Sequence, residues 1–289
     1  MAAFARGLRS TARRRYEGSI AWRLVHPRRI HAFCVGAGKT GTHSIAGMFD
    51  RHYRTAHEPE TELLIEVILA EAEGRMSASE VAAWLRRRDR RLWLEMDASG
   101  LNGAVIRHLV GLFPEARFIL TVRDCHSWLD SLLDHHLTRP TTDSWRRLRD
   151  LRCPPAERRY TRTEEILREN GLFPIGAYLK QWAAHNRAVL EAVPPERLLV
   201  VRTERIGESV DRLAAFLGIP ADTIDRSQAH LYRRATGSGI LAKIDPRLVE
   251  ERIAEHCAEL MRVLFEDPPG TTTSGPWSAA RSDRRAVGA

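Results

Sequence analysis

One short segment constrains this chain more than any other: Val35-Gly36-Ala37-Gly38-Lys39-Thr40-Gly41-Thr42-His43-Ser44. The apolar run His31–Val35 leads straight into it, and Thr42–Tyr53 follows with Ile45, Met48 and Phe49 at helical spacing. A buried strand, a glycine-rich turn and a helix start therefore come in that order. Glycines let backbone N–H groups turn inward, and a helix N-terminus adds partial positive charge, so such a turn cradles an anion. Lys39 adds a full charge, and Thr40, Thr42 and Ser44 add hydroxyl donors. The bland alternative is a tight strand–helix turn, but only three of the 45 basic residues are lysines, and one of them falls here. The arginine skew itself fits the codon bias of a GC-rich bacterial genome, so most of the positive charge needs no functional reading.

The pattern continues with strands expected at Tyr53–Ala56, Leu92–Met96, Arg117–Val122 and Leu198–Arg202. Helices are expected at about 60–73, at 79–90 with Ser79 as cap, and at 101–113, 127–137, 163–170, 175–193, 210–217 and 247–265. The stretch Thr138–Thr161, rich in Arg, Pro and Thr, reads as an inserted loop or cap. Strands alternating with helices imply an α/β fold, a single domain whose central parallel sheet is flanked by helices. Ligands of such sheets bind beyond the carboxyl ends of the strands. That rule selects Gly36–Ser44, His57–Glu58, Asp97–Asn102 and Arg123–Ser131. The domain is expected over 30–266, after a basic extension (1–29) and before a disordered tail (267–289).

At 289 residues with 43% hydrophobic content the chain can bury a substantial core. No stretch reaches the ~20 apolar residues of a membrane helix, and the arginine-rich N-terminus has no apolar core of a secretory signal. Cys34, Cys125, Cys153 and Cys257 show no metal spacing and read as free buried thiols. The expectation is a cytoplasmic protein without a metal site. The net charge of +8 admits an anionic ligand, nucleic acid or a membrane surface without choosing among them.

A second motif narrows the choice. The strand ending at Val122 is followed by Arg123-Asp124-Cys125-His126-Ser127-Trp128-Leu129-Asp130-Ser131. An arginine at a strand end and a hydroxyl two helical turns on can bracket one dianion. Together with Lys39-Thr40-Gly41-Thr42-His43-Ser44, this resembles the sulfotransferases that use PAPS (3′-phosphoadenosine 5′-phosphosulfate). Their phosphosulfate loop has a lysine, a hydroxyl residue, Gly-Thr and another hydroxyl residue, although here His43 stands before Ser44. A weaker match, in the late strand, turn and helix of Leu198–Pro220, concerns fold rather than chemistry.

The resemblance implies that Gly38, Lys39, Thr40, Gly41, Thr42, His43 and Ser44 hold the 5′-phosphosulfate, and that Arg123 and Ser131 hold the 3′-phosphate. It implies a late loop over that phosphate, for which Arg233, Arg234 and Gly237 are the candidates, though the loop departs from the family's Arg-Lys-Gly form. Lys39 would stabilise the leaving phosphate. Glu58 is the favoured general base and His57 the alternative, at the end of a strand expected to lie beside the first. A solvated Glu-His turn before Pro59 is the plain reading of that pair. Asp97 and Asn102 are acceptor-site or capping residues; His135 and His136 are acceptor contacts or a polar helix end. The acceptor would be a small molecule, carbohydrate or lipid offering a hydroxyl or amine. The oligomeric state is not legible.

Two rivals stand beside this reading. A P-loop kinase or hydrolase needs a glycine five residues before its Gly-Lys-Thr unit, where this chain has Phe33; Asp97 would be its magnesium ligand. A basic nucleic-acid binder needs aromatics interleaved with its charges, and runs such as Arg86–Arg88 lack them. No nucleic-acid partner is expected.

Overall fold

The computed structural model describes residues 20–139, 141–230 and 237–266. The chain before residue 20, the tail from 267 and the candidate residues Arg233 and Arg234 lie outside the described residues. Five strands form the sheet: β1 (Ala32–Cys34), β2 (Thr55–His57), β3 (Met96–Ala98), β4 (Arg117–Val122) and β5 (Leu198–Arg202). Their order is β2-β3-β1-β4-β5, and every neighbouring pair is parallel. The expected parallel α/β architecture is therefore the observed one.

The helices are α1 (Ile20–Val25), α2 (Thr42–Phe49), α3 (Thr61–Ala72), α4 (Ala78–Leu92), α5 (Ile106–Leu112), α6 (Cys125–Thr138), α7 (Asp143–Arg152), α8 (Glu165–Glu169), α9 (Ile175–Ala192), α10 (Val210–Leu217) and α11 (Pro246–Phe265). Alternation along the strands serves two cores at once. Phe33 and Val35, with Phe118, Leu120 and Val122, pack with the apolar faces of α6, α9 and α11. Ala32, Cys34 and Ile119 point the other way, onto α2 and α10. A sheet buried on both faces needs near-continuous apolar strands, which is what β4 supplies. Each side chain such as Phe118, fully buried, contributes about 1.5–3 kcal/mol.

β1 is followed by α2 on one face and its neighbour β4 by α6 on the other. The two connections leave in opposite directions, so a crevice opens between the carboxyl ends of β1 and β4. That crevice receives both sequence motifs.

Four expectations need correction. The third strand is Met96–Ala98, because α4 continues through Leu92 and stops where Trp93 takes a positive φ of 48°. The cap of α4 is Ser77 in a reciprocal capping box with Glu80, not Ser79. The insert Thr138–Thr161 contains a real helix, α7, capped by Thr142; its arginines hide a short amphipathic pattern anchored by the buried Leu148. Finally, β2 does not flank β1, since β3 lies between them.

Residues 20–29 are docked on the domain: Arg28 pairs with Asp89 at 2.8 Å and Arg29 with the buried Glu95 at 3.0 Å. All four cysteines are free and buried. Among the described residues no helix is long and apolar enough to cross a membrane.

Candidate active site

The carboxyl ends of the strands open on a cleft of about 1220 Å³, whose walls include Lys39, Ser44, Glu58, Arg123, Ser131 and Gly237. The loop from Gly36 to Gly41 is held by close packing. A Cβ on Gly36 would overlap the Thr121 hydroxyl and come within 2.6 Å of Thr40 Oγ1, so no other residue fits. The Thr40 hydroxyl is fully buried; it donates to the Ala37 carbonyl at 2.6 Å and shares a 2.8 Å hydrogen bond with Thr121. Its side chain thus shapes the loop and is turned away from the cleft. Lys39 sits at φ 72° and Gly41 at φ 100°, and Gly41 accepts the first helical bond of α2, from Ile45 N–H at 3.0 Å. A lysine in the left-handed region is uncommon and carries backbone strain. The surrounding packing maintains it just ahead of α2, whose first residues Thr42, His43 and Ser44 line the cleft.

Three side chains that the sequence did not single out for this task brace the loop. Trp128 donates from Nε1 to the Gly38 carbonyl at 2.9 Å. The Thr203 hydroxyl lies 2.6 Å from the Thr40 carbonyl and 2.8 Å from that of Val122. His185, from the middle of α9, lies with Nε2 2.8 Å from the Val35 carbonyl. Since a carbonyl only accepts, Nε2 carries the proton, and burial pushes this imidazole down to about 4.

Arg123 follows β4 directly, and Asp124 caps α6 by accepting from Ser127 N–H at 2.9 Å. Trp182, fully buried, donates to the Arg123 carbonyl at 3.0 Å; it is a core residue that fixes the strand end. Ser131 shares the α6 wall with Asp134, whose carboxylate accepts from Ser238 N–H at 2.7 Å and from the Ser238 hydroxyl. A Cβ on Gly237 would lie 2.6 Å from Asp134 Oδ2. The end of the late loop is thereby anchored one turn beyond Ser131.

On the opposite wall, His57 Nε2 and the Thr42 hydroxyl share a 3.1 Å hydrogen bond. The His43 and His57 rings lie 4.4 Å apart. Burial, reinforced by His43, pushes His57 down to about 4. Glu58 moves the other way: burial holds its carboxyl above the usual range, against the opposing pull of Arg139. Glu58 also has a positive φ, 50°. The pair therefore reaches the cleft despite the intervening β3. Asp97 and Asn102 are occupied within the fold. Arg88 donates to Asp97 at 2.6 Å, and Asn102 to its other oxygen at 3.1 Å. With its carboxylate spent on a buried arginine, Asp97 is not placed as a kinase's magnesium ligand. His135 and His136 both line the cleft.

A parallel sheet with a strand–glycine-rich turn–helix unit at its switch point, and an arginine at the end of the adjacent strand, defines an α/β class whose clefts open at the strands' carboxyl ends. The sulfotransferase domain model matches residues 31–225, and the chain belongs to that family. Among solved structures, a sulfotransferase from Alicyclobacillus acidocaldarius aligns with a TM-score of 0.48 and 19% identity over 83% of this chain and 97% of that one. Sulfotransferase STF9 from Mycobacterium avium gives 0.48 and 16% over 89% and 82%. The sulfotransferase domain of the curacin biosynthetic pathway gives 0.40 and 14% over 89% and 97%. No curated protein matches the chain significantly.

Proposed function

We propose that this sulfotransferase takes its sulfuryl group from PAPS and delivers it to a hydroxyl or amine. One observation carries the reading: a single cleft is lined by Lys39 just before α2, by Arg123 just before α6 and by Ser131 within α6. Two anion-holding centres at adjacent strand ends suit a nucleotide phosphorylated at both 5′ and 3′ positions. Gly38, Gly41, Thr42, His43 and Ser44 would surround the 5′ group, with Thr40 shaping the loop. Arg123 and Ser131 would take the 3′-phosphate beneath the Gly237 segment.

In the reaction the acceptor oxygen or nitrogen bonds to sulfur as the bond from sulfur to the 5′-phosphate oxygen breaks, in line. Positioning and charge stabilisation supply most of the rate. Lys39 meets the charge gathering on the leaving phosphate. The acceptor's proton passes to a base. Glu58 suits that role better than His57: a raised carboxyl is a stronger base than an ordinary one, whereas an imidazole held near 4 is a weak one. His57 instead braces Thr42. Calorimetry with PAP in EDTA tests the donor assignment. Binding without metal is expected; no PAP binding beside tight magnesium-ATP binding would overturn it.

A further inference from the structure

Helix α7 carries arginines that face two ways. On its outer side Arg146 pairs with Asp143 at 3.1 Å, and Arg147 with Glu66 at 2.9 Å and Glu73 at 3.4 Å. Arg149 and Arg152, three residues apart and so on one face, line the cleft instead. Among the described residues neither has a carboxylate partner.

Arg149 is held in place by its neighbours. Arg149 lies over the Phe173 ring at 4.9 Å, with weak reach to the Gly171 carbonyl at 3.4 Å and the Tyr178 hydroxyl at 3.5 Å. Its Nε is buried and makes no hydrogen bond. Arg152 is recessed further, and burial pushes its guanidinium down to about 10. The neighbouring imidazoles add no compensating negative charge. Burial and then Arg149 push His136 down to about 3, and Arg152 also disfavours protonation of His185.

Two carboxylates of the cleft are engaged elsewhere: Glu62 accepts from Thr142 at 3.0 Å and from Ser144, and Asp134 holds Ser238. Asp130 lines the cleft from α6. Burying an unpaired guanidinium is costly. An anion arriving in the cleft would offset that cost with charge-assisted, planar hydrogen bonds.

We propose that Arg149 and Arg152 form an anion subsite for the acceptor, which therefore carries a carboxylate, phosphate or sulfate besides its nucleophilic group. The location rests on the donor reading, since the nucleotide occupies the β1–β4 crevice. Helix α7 meets α3 through Arg147, while Arg149 and Arg152 turn to the cleft beside His136 and His185.

Two measurements separate this proposal from the donor reading. PAP affinity in the wild type tests the donor alone. In PAP-saturated protein, p-hydroxybenzoate, its methyl ester and p-hydroxyphenyl phosphate are then titrated by calorimetry, the two acids distinguishing carboxylate from phosphate recognition. At least one acid is expected to bind about tenfold or more tighter than the ester, the worth of one charge-assisted bond. Arg152→Gln and Arg149→Gln should each abolish the preference while leaving PAP affinity within about threefold, and Arg152→Lys should keep part of it by retaining the charge. Equal or undetectable binding of acids and ester, or a preference surviving in Arg152→Gln, overturns the subsite. If wild-type PAP binding fails, the donor reading falls, and the same comparison without PAP still decides the subsite.

Discussion

Trp128 Nε1 donates to the Gly38 carbonyl at 2.9 Å, joining the helix that carries Ser131 to the loop that carries Lys39. The two candidate phosphate centres are thus built as one unit. Fixed donors of this kind need no rearrangement when charge develops, which is where catalytic stabilisation is largest.

The two centres should nevertheless separate by kinetics. Lys39→Ala is expected to lower turnover by about 100-fold or more with a modest change in PAP affinity, comparable with loss of one preorganised donor. Arg123→Ala should act chiefly on PAP affinity, since the 3′-phosphate is remote from sulfur. Steady-state kinetics with PAP calorimetry on both variants checks the split; unchanged PAP affinity in Arg123→Ala would show that this arginine holds no phosphate.

Glu58→Gln should keep PAP binding and lower turnover by roughly 10²–10⁴-fold, the usual contribution of a positioned base. The pH profile gives the sign. A base works when deprotonated, and burial raises the Glu58 carboxyl above its ordinary 4.5. Activity should therefore fall on acidification at a higher pH than an exposed glutamate would dictate, and the Gln variant should lack that limb. A Gln variant with full activity would pass the role to His57 or another group.

His185 gives a stability prediction. Its imidazole is pushed from 6.5 to about 4 in the folded protein. Unfolded chain takes up the proton first, so stability is complete above the unfolded value and declines as pH falls from there toward the folded one. That shift is worth on the order of 3 kcal/mol. His185→Gln retains a donor for the Val35 carbonyl and removes the titration. Melting temperatures from pH 7 to pH 4.5 should fall less steeply in the variant; parallel curves would count against this assignment.

Gly36→Ala should destabilise the fold by about 2 kcal/mol or more, as overpacking at a site with no room does. The added Cβ meets the Thr121 carbonyl at 2.5 Å as well as its hydroxyl, so Thr121→Ala cannot rescue it. Denaturant midpoints of the single and double variants test this.

Legibility followed range. The strands Arg117–Val122 and Leu198–Arg202 and the helix Val210–Leu217 have the bounds expected from their residues, because apolar runs and helical spacing are local signals. The turn between the first strand and α2 is equally local, spelled in ten consecutive residues. β3 was misplaced because its central residue is a carboxylate, tolerable only through a bond to Arg88 that no spacing announces. His185 and Val35 lie 150 residues apart, and Thr203 reaches the loop across 163; their roles exist only in the folded chain. Helix α7 escaped notice because charge masked its apolar stripe. The same charge, once folded, separates into an outer paired set and an inner set facing the cleft.

The single proton of the Thr203 hydroxyl is shared between the carbonyls of Thr40 and Val122, 2.6 and 2.8 Å away. A clasp across two backbones acts as a spacer gauge: the turn before α2 and the end of β4 cannot spread without sacrificing it. In the proposed reading it sets the span between the 5′ and 3′ anions of the donor, so the enzyme would measure its nucleotide by length. Adenine nucleotides with a longer 5′ chain but no 3′-phosphate would bridge only one jaw.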